Sequence, residues 1–316
     1  MIYFVLVLWI LTALFILVEK KLTKMILWLG LSSMIAAWAF LLLGSPDVAM
    51  AEAAISAFTT VFFIVCFEKY YKLRNMSNLL KEEEEERKEG VLKHYILPLI
   101  ATVAIGGLFI YFIPGNDVNT YLKDLYITRF NQDVGGENAV TAIYLAYRVF
   151  DTLFEALMLV VAVVAVIHMS HFGEIAADTG DRSPIEKSGM ALFLLRIVSP
   201  LTILFGIYLI ANGFLTAGGG FQGGLAISGF LVCRYMIYDI YDVQVKKISK
   251  MEEVVFAAIT VLAALIVFQE AFGHLPLQYV TLFQNIYLIS MNALIGLKVA
   301  LGFMILFYRY VAIERK

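Results

Sequence analysis

Long apolar stretches, separated by short polar segments, are the dominant pattern of this 316-residue chain. A helix needs about 20 apolar residues to cross the hydrocarbon core of a bilayer. The pattern predicts about nine such helices and no strands. Their predicted ranges are 1–18, 25–43, 48–67, 95–113, 139–168, 189–213, 222–241, 254–273 and 281–308. The sequence therefore predicts an all-α polytopic membrane protein, and we expect its first apolar stretch to be a retained helix and not a signal peptide.

Composition excludes several other classes. Residues of the AVILMFWYC set make up 61% of the chain and charged residues only 16%, whereas a typical soluble domain carries about 25% charged residues. A net charge of −2 argues against a nucleic-acid partner, which needs a basic surface. Cys66 and Cys233 lie far apart in apolar stretches, so they indicate neither a disulfide framework nor a metal or redox motif. We expect no metal and no cofactor.

Lys and Arg concentrate in alternate loops, which predicts the orientation of the chain in the cell membrane. Basic residues are frequent within 20–24, 69–93, 182–187 and 246–250 and in the C-terminal tail. With nine spans, all of these segments fall on one side, and the opposite side has only Lys123 and Arg129. We therefore expect the N-terminus outside and the C-terminus in the cytoplasm.

Three polar segments divide the apolar pattern. Residues 69–93 contain five adjacent glutamates, which indicates a solvated linker or exposed helix. Residues 114–138 are predicted to form an outer loop. Residues 170–188 contain glycines and a proline and form the best boundary between two modules, the first five spans and the last four. The predicted organisation is a five-helix module over 1–170, a linker over 171–188 and a four-helix module over 189–316.

Ionisable residues inside predicted spans are the main functional candidates, because each costs a few kcal/mol at the bilayer centre. The densest group lies in the fifth span, where the helical period predicts one shared stripe. Like-charged carboxyls four residues apart could hold one proton between them, as a proton relay requires. The alternative, a polar staple between helices, is equally open. The stripe consists of Tyr144, Arg148, Asp151, Thr152 and Glu155.

The third span carries two further carboxylates. Pro46 and Asp47 fit the first turn of a helix, since proline has no N–H to lose and Asp favours the positive helix end. Glu52 lies more than a turn further, among alanines that allow close helix packing. Asp47 is therefore interpreted first as a helix-start residue, whereas Glu52 is expected to face protein.

The second module combines a glycine-rich segment with one deep lysine. Five of the seven residues Gly218, Gly219, Gly220, Phe221, Gln222, Gly223 and Gly224 are glycines, which predicts a helix break or a close backbone approach. Arg196 and Pro200 precede this segment, and Lys298 lies well inside the ninth span. Snorkelling is difficult from that depth, so we expect Lys298 to have a buried partner or a hydrated path.

Three motifs resemble a known family. The segment Arg196-Ile197-Val198-Ser199-Pro200 and the glycines that follow it resemble the R-x-x-x-P and PGGGFQGG signature of the B subunit of Mrp-type cation/proton antiporters, with Ala217 where the family usually has proline. The segment from Ser45 to Glu52 resembles the (A/S)PD pattern in the C-terminal part of the Mrp A subunit. Residues 147–155 resemble that subunit's FR-x-FDT-x-x-E motif, with Tyr147 replacing the usual Phe.

The resemblance implies a fusion of pieces that also occur in the membrane arms of archaeal membrane-bound hydrogenases and sulfur reductases. The first five spans are also similar to the J-type subunit of respiratory complex I, which implies a π-bulge in the third span. The implied function is that of a subunit, not an enzyme by itself, in a cation/proton antiporter, with Na⁺ as the expected cation. The implied partners are other Mrp-type subunits, with or without a hydrogenase-like or sulfur-reducing peripheral arm.

Within that function, six residues are candidates for an ion or proton path: Glu155, Asp151, Arg148, Glu52, Lys298 and Asp47. The alternative is a purely structural adaptor of the membrane arm, without an ion path of its own. A stand-alone secondary transporter is disfavoured, because the two predicted modules differ in span number and motif and so show no inverted repeat.

Overall fold

The computed structural model describes residues 1–19, 21–73, 97–112, 120–170, 189–238, 245–272 and 277–311. These ranges contain α-helices and one π-helical turn, with no strand among the described residues. The helices are α1 Ile2–Val18, α2 Leu22–Leu42, α3 Pro46–Leu73, α4 Leu97–Phe112, α5 Tyr121–Asp133, α6 Ala139–Ala142, α7 Val149–Ser170, α8 Gly189–Asn212, α9 Gly220–Tyr238, α10 Val245–Phe272 and α11 Leu277–Val311. The π-helical turn, Ile143–Tyr147, joins α6 to α7.

Six of the described helices are long and apolar enough to cross a membrane. Their apolar parts are Leu22–Leu42, Pro46–Phe67, Val149–Met169, Leu192–Asn212, Lys246–Phe268 and Gln284–Tyr310. The α1 helix is also apolar, but its 17 residues are fewer than the roughly 20 that a membrane crossing needs. The protein is therefore a multi-pass membrane protein whose described ranges are built of helices, as predicted. Every predicted span overlaps a helix, but the number of nine crossings stays a prediction.

The predicted outer loop, residues 114–138, is not a loop throughout. Its described part contains α5, Tyr121–Asp133, a polar helix whose first turn is preceded by Thr120. The Thr120 hydroxyl donates to Asp124 Oδ2 at 2.9 Å and so closes the first turn with a side-chain bond. The glutamate run and the predicted linker 171–188 lie outside the described residues.

The chain divides into two compact units, Met1–Cys66 with Thr128–Lys316, and Phe67–Ile127. In the larger unit, α11 is the central helix: 61% of its apolar window is buried, and α7, α9 and α10 pack against it. The core around it includes Leu145 of the π-helical turn and Tyr287 and Met291 of α11. Helices from both predicted modules therefore share one core, and the two-module division stays a prediction.

The connection between α2 and α3 consists of Leu43, Gly44 and Ser45. Gly44 has a φ of +75°, which an L side chain rarely adopts. Its N–H donates to the Leu41 carbonyl at 3.1 Å, and the Ser45 N–H donates to the Phe40 carbonyl at 2.9 Å. This pair of bonds is the Schellman arrangement that ends many helices. Pro46 then begins α3, which places Asp47 in its first turn, as predicted.

The expectation of a π-bulge in the third span is wrong, because α3 is continuous α-helix over Pro46–Leu73. The π-helical turn lies in the fifth predicted span, where the Arg148 N–H donates to the Ile143 carbonyl at 2.8 Å. Side-chain hydroxyls bond to this widened turn: Thr152 donates to the Tyr144 carbonyl at 2.5 Å, and Tyr287 donates to the Leu145 carbonyl at 2.6 Å. These bonds stabilise the wide turn at this position.

Candidate functional site

The five residues predicted to form one stripe are divided between two faces. Arg148, Asp151 and Glu155 are exposed on α7 or immediately before it. Thr152 is buried, and Tyr144 points inward, where its hydroxyl donates to Asn292 Oδ1 at 3.0 Å. The prediction of a single stripe is therefore wrong. The π-helical turn adds one residue and shifts Tyr144 around the helix, whereas Thr152, one residue after Asp151 on α7, faces inward and donates to the Tyr144 carbonyl.

Arg148, Asp151 and Glu155 form what we call the α7 stripe. The Arg148 guanidinium pairs with Asp151, with Nε donating to Oδ2 at 2.6 Å. These two side chains are 62% and 57% exposed, and Phe150 and Phe154 beside them are exposed as well. Charged groups on an apolar helix face are tolerated in a membrane where protein or water covers them. Because all three of its side chains are exposed, the α7 stripe is directed outward from this chain and needs such a cover in a membrane.

Asp47 lies in a second, buried polar group at the start of α3. Its Oδ1 accepts hydrogen bonds from Asn138 Nδ2 at 3.0 Å and from the Gly218 N–H at 3.1 Å. Its backbone carbonyl accepts a third bond, from Gln222 Nε2 at 3.4 Å. The carboxylate, which is 9% exposed, thus joins α3 to the glycine-rich turn before α9.

Asn138 is the centre of this polar group and was not predicted. Its Oδ1 caps α6 by accepting from the Val140 N–H at 2.9 Å, and its amide nitrogen donates to the carbonyls of Gly213 and Thr216. These two carbonyls lie in the segment after α8, so the Asn138 side chain joins the start of α6 to the end of α8. The sequence did carry a signal, since asparagine before an apolar helical stretch is a typical N-cap.

The glycine-rich turn ends earlier than predicted. Gly218 and Gly219 have φ values of +152° and +151°, where side chains are strained. The α9 helix begins at Gly220, so the segment from Phe221 to Gly224 is helical and not part of the break. Asn292 Oδ1 accepts the Gly220 N–H at 3.1 Å, which satisfies a donor at the start of α9.

The helical glycines bring α9 close to α11. A Cβ placed on Gly220 would lie 2.5 Å from the Asn292 carbonyl oxygen, and one on Gly224 would lie 2.5 Å from the Gly296 carbonyl oxygen. In both cases the obstacle is backbone, which cannot rotate away. Small residues at helix contacts of this kind allow membrane helices to approach closely. The predicted close backbone approach is therefore present.

Lys298 has the buried partner that its depth suggested. Its ammonium forms an ion pair with Glu252 of α10, and the two side chains are 1% and 2% exposed. The ammonium also lies 5.3 Å from the centre of the Phe256 ring, within the range of a cation–π contact. Glu252 was missed, although counting back from Phe272 and forward from Leu277 places the two residues opposite each other in an antiparallel pair.

Glu52 is half-buried and lies on the α3 face that packs against α2. The Ser33 hydroxyl of α2 donates to Glu52 Oε1. Together they line a groove of about 300 Å³ between the two helices. Glu52 thus faces protein, as predicted, but it also borders an open space.

Arg196 and Pro200 lie on the exposed side of α8. Because proline has no N–H, the Arg196 carbonyl lacks its usual helical donor at Pro200.

Among the residues that the structure describes, no group of three or more His, Cys, Asp and Glu side chains is suited to holding a metal ion.

Together, the fold and these residues define a multi-pass helical membrane protein whose described part contains the buried Lys298–Glu252 ion pair and the outward-facing α7 stripe. Residues 190–312 match the family model of a domain related to the MnhB subunit of a Na⁺/H⁺ antiporter. Residues 7–72 match the MbhD family model, which describes a subunit of MBH. The first match covers α8 without its first residue through the end of α11, and the second covers α2 and most of α1 and α3.

Curated relatives are similar to about half of the chain. The antiporter subunit mnhA2 of Staphylococcus haemolyticus is 28% identical over 155 residues, which cover 49% of this chain and 18% of the relative. The antiporter subunit mnhA2 of Staphylococcus aureus is 27% identical over 146 residues, which cover 46% and 17%. The aligned part of this chain thus spans less than a fifth of each relative.

Two solved structures share the fold. A chain of the Mrp complex from Dietzia sp. DQ12-45-1b has a TM-score of 0.74 at 18% identity, over 99% of this chain and 35% of that one. A chain of the membrane-bound sulfane sulfur reductase (MBS), an archaeal respiratory membrane complex, has a TM-score of 0.51 at 23% identity, over 66% and 94%. The resemblance to Mrp-type antiporter subunits is confirmed by the family models, the relatives and the fold.

Proposed function

We propose that this chain is a membrane subunit of a multi-subunit Na⁺/proton antiporter, and that other Mrp-type subunits cover its α7 stripe. The observation that carries this proposal is the exposure of Arg148, Asp151 and Glu155 on a helix that is long and apolar enough to span the membrane. Lipid is a poor environment for three charged groups. A partner subunit with polar groups, or a water path between that subunit and this chain, is a suitable environment for them.

Glu155 is the proposed relay residue of the stripe. Arg148 pairs with Asp151, so its positive charge is already balanced by another carboxylate. Glu155 lies about 9 Å beyond the start of the apolar window Val149–Met169, at 1.5 Å per residue. A carboxylate at that depth needs a proton, a cation or water, and exchange among these is the chemistry of antiport.

The remaining candidates take different roles in this proposal. Asp47 and Lys298 hold helices together through buried bonds, whereas Glu52 borders a groove. The similarity of the fold to a subunit of MBS supports a version in which a sulfur-reducing or hydrogenase-like arm drives transport. We also propose the cell membrane as the location, with the N-terminus outside, the C-terminus in the cytoplasm and modules over 1–170 and 189–316.

The test is Glu155→Gln in the assembled complex, reconstituted in vesicles. Glutamine keeps the size and most of the hydrogen bonding but cannot titrate. We expect normal assembly with most cation/proton exchange lost. Glu253→Gln is the matched control, because Glu253 is also exposed but follows three lysines of α10, Lys246, Lys247 and Lys250, and not an apolar stretch. Full exchange by a correctly assembled Glu155→Gln complex would exclude the relay role.

A structural adaptor is the second candidate function. It is favoured by the position of the α7 stripe on the outside of the chain, where an interhelical staple would also lie. In that case Glu155→Gln would retain exchange, and disruption of the Arg148–Asp151 pair would reduce assembly instead. The two functions therefore separate by which of the two measurements changes.

A further inference from the structure

We propose that the groove between α2 and α3 is a hydrated binding site for a monovalent cation, with Glu52 as its carboxylate. This inference rests on the proposed antiport function and adds a location and a ligand chemistry to it. We call the site the hydroxyl groove. Its oxygen-bearing side chains are Ser32, Ser33, Glu52, Ser56, Thr59 and Thr60.

The polar residues of the hydroxyl groove lie inside two apolar helices. On α3, Glu52, Ser56, Thr59 and Thr60 follow spacings of four, three and one, so they share one face. They fall within the apolar window Pro46–Phe67, and Ser32 and Ser33 fall within Leu22–Leu42. The polar surface is thus concentrated where the two helices meet, and the groove gives it a space of about 300 Å³.

Three of the five hydroxyls direct their hydrogens away from the groove or toward Glu52, and Ser32 accepts a bond from Trp9 Nε1 at 3.0 Å. Ser56 donates to the Gly30 carbonyl at 3.1 Å, and Thr59 donates to the Ile55 carbonyl at 2.8 Å. Ser33 donates to Glu52 itself. A hydroxyl has one hydrogen and two lone pairs, so each of these oxygens keeps acceptor capacity. Acceptor oxygens beside a carboxylate favour a cation over an anion.

The charge and volume of the groove favour a hydrated monovalent ion. Glu52 is the one carboxylate among the lining residues, so it balances a single positive charge. Protein sites for Ca²⁺ usually supply several carboxylates or carbonyls. At about 30 Å³ per water, the groove has room for several waters around an ion.

A second groove of this chain provides the contrast. It lies between α1 and α2 and has a larger volume, about 480 Å³. Its lining is apolar and aromatic apart from Thr12, and includes Phe15, Trp28 and Trp38. Volume alone therefore does not distinguish the two grooves, and the cluster of oxygen ligands does.

The test measures equilibrium binding of radiolabelled sodium to the purified complex, together with the sodium dependence of exchange in vesicles. Thr59→Val removes one oxygen and keeps the shape. We expect its sodium dissociation constant to rise about tenfold, the size expected for a bond to a charged group. Glu52→Gln should lose the binding. Thr260→Val is the matched control, since Thr260 of α10 also donates to a carbonyl four residues earlier but is exposed on another helix.

The possible outcomes separate this inference from the proposed function. Unchanged sodium binding in assembled Thr59→Val and Glu52→Gln complexes would overturn the cation site, even if the wild-type complex exchanges ions normally. Binding that is weakened by both variants, in a complex that shows no exchange, would support the site and contradict the antiport function. If Glu52→Gln fails to assemble, Thr59→Val and Ser56→Ala decide the question.

Discussion

Two ion pairs in the membrane helices of this chain have opposite surroundings. Arg148 lies immediately before α7 and Asp151 lies in its first turn, and their side chains are 62% and 57% exposed. Lys298 and Glu252 join two helices and are 1% and 2% exposed. The same charges therefore serve different purposes: the inner pair fixes α10 against α11, whereas the outer pair is directed to what lies next to the chain.

The difference has an energetic meaning. An exposed pair contributes about 0–1 kcal/mol, since water competes with it. A buried pair contributes little relative to a well-packed apolar pair, but breaking it leaves an uncompensated charge and destabilises by about 3–5 kcal/mol. Variants of the two pairs should therefore differ strongly in the isolated chain, and the assembled complex should reduce that difference.

The largest effect is expected for Lys298→Met. It leaves the Glu252 carboxylate buried without its cation, so we expect a loss of about 3–5 kcal/mol in stability. Thermal unfolding of the detergent-solubilised chain would show it as a lower midpoint and yield. The double variant Lys298→Met with Glu252→Leu should recover most of the stability, because an apolar pair replaces both charges. A double variant as unstable as the single one would contradict the ion-pair explanation.

A smaller effect is expected for Gly220→Val, which overfills the contact between α9 and α11. The added side chain meets the Asn292 backbone, and overpacking of this kind costs about 1–3 kcal/mol. The reason is steric, since Gly220 is helical and has no positive φ. Gly229→Val controls for the lower helix propensity of valine, because the same helix has open space at Gly229. Equal unfolding midpoints for the two variants would show that the close approach is unimportant.

The smallest effect in the isolated chain is expected for Arg148→Met. Loss of an exposed pair should change stability by less than about 1 kcal/mol. The assembled complex should respond more strongly, because the partner that covers the α7 stripe would then face an unpaired Asp151. Native gel analysis of complex yield, beside unfolding of the isolated chain, measures both. A complex that forms as well as the wild type would place the stripe outside the interface.

The helices could be predicted from the sequence because a bilayer demands long apolar stretches. Their polar ends could not. The α10 helix begins at Val245 and not near 254, since Lys246, Lys247 and Lys250 are good helix formers that extend it beyond the apolar part. The α5 helix was missed for the same reason, because its residues are mostly polar and match no membrane pattern.

A site residue could be predicted where its depth in the membrane alone determines its surroundings. It was missed where its bonding partner is distant in sequence. Lys298 required a buried partner because of its position, but Glu252 stood just before a predicted span and was not considered. Asn138 was placed in a loop, so its bonds to Asp47 and Gly213 could not be anticipated. The predicted five-residue stripe wrongly included Tyr144, because no residue pattern marks the extra residue of the Ile143–Tyr147 turn.

The Glu252–Lys298 pair also bears on how the chain is inserted during synthesis. A single lysine at the centre of a helix raises the cost of insertion by about 2.5–3.5 kcal/mol. Here its counter-charge lies on the preceding helix, and only four residues separate Phe272 from Leu277. The last two helices can therefore enter the bilayer as a hairpin in which the charges already neutralise each other. Biogenesis of this chain should thus depend on the delivery of α10 and α11 together, and not one after the other.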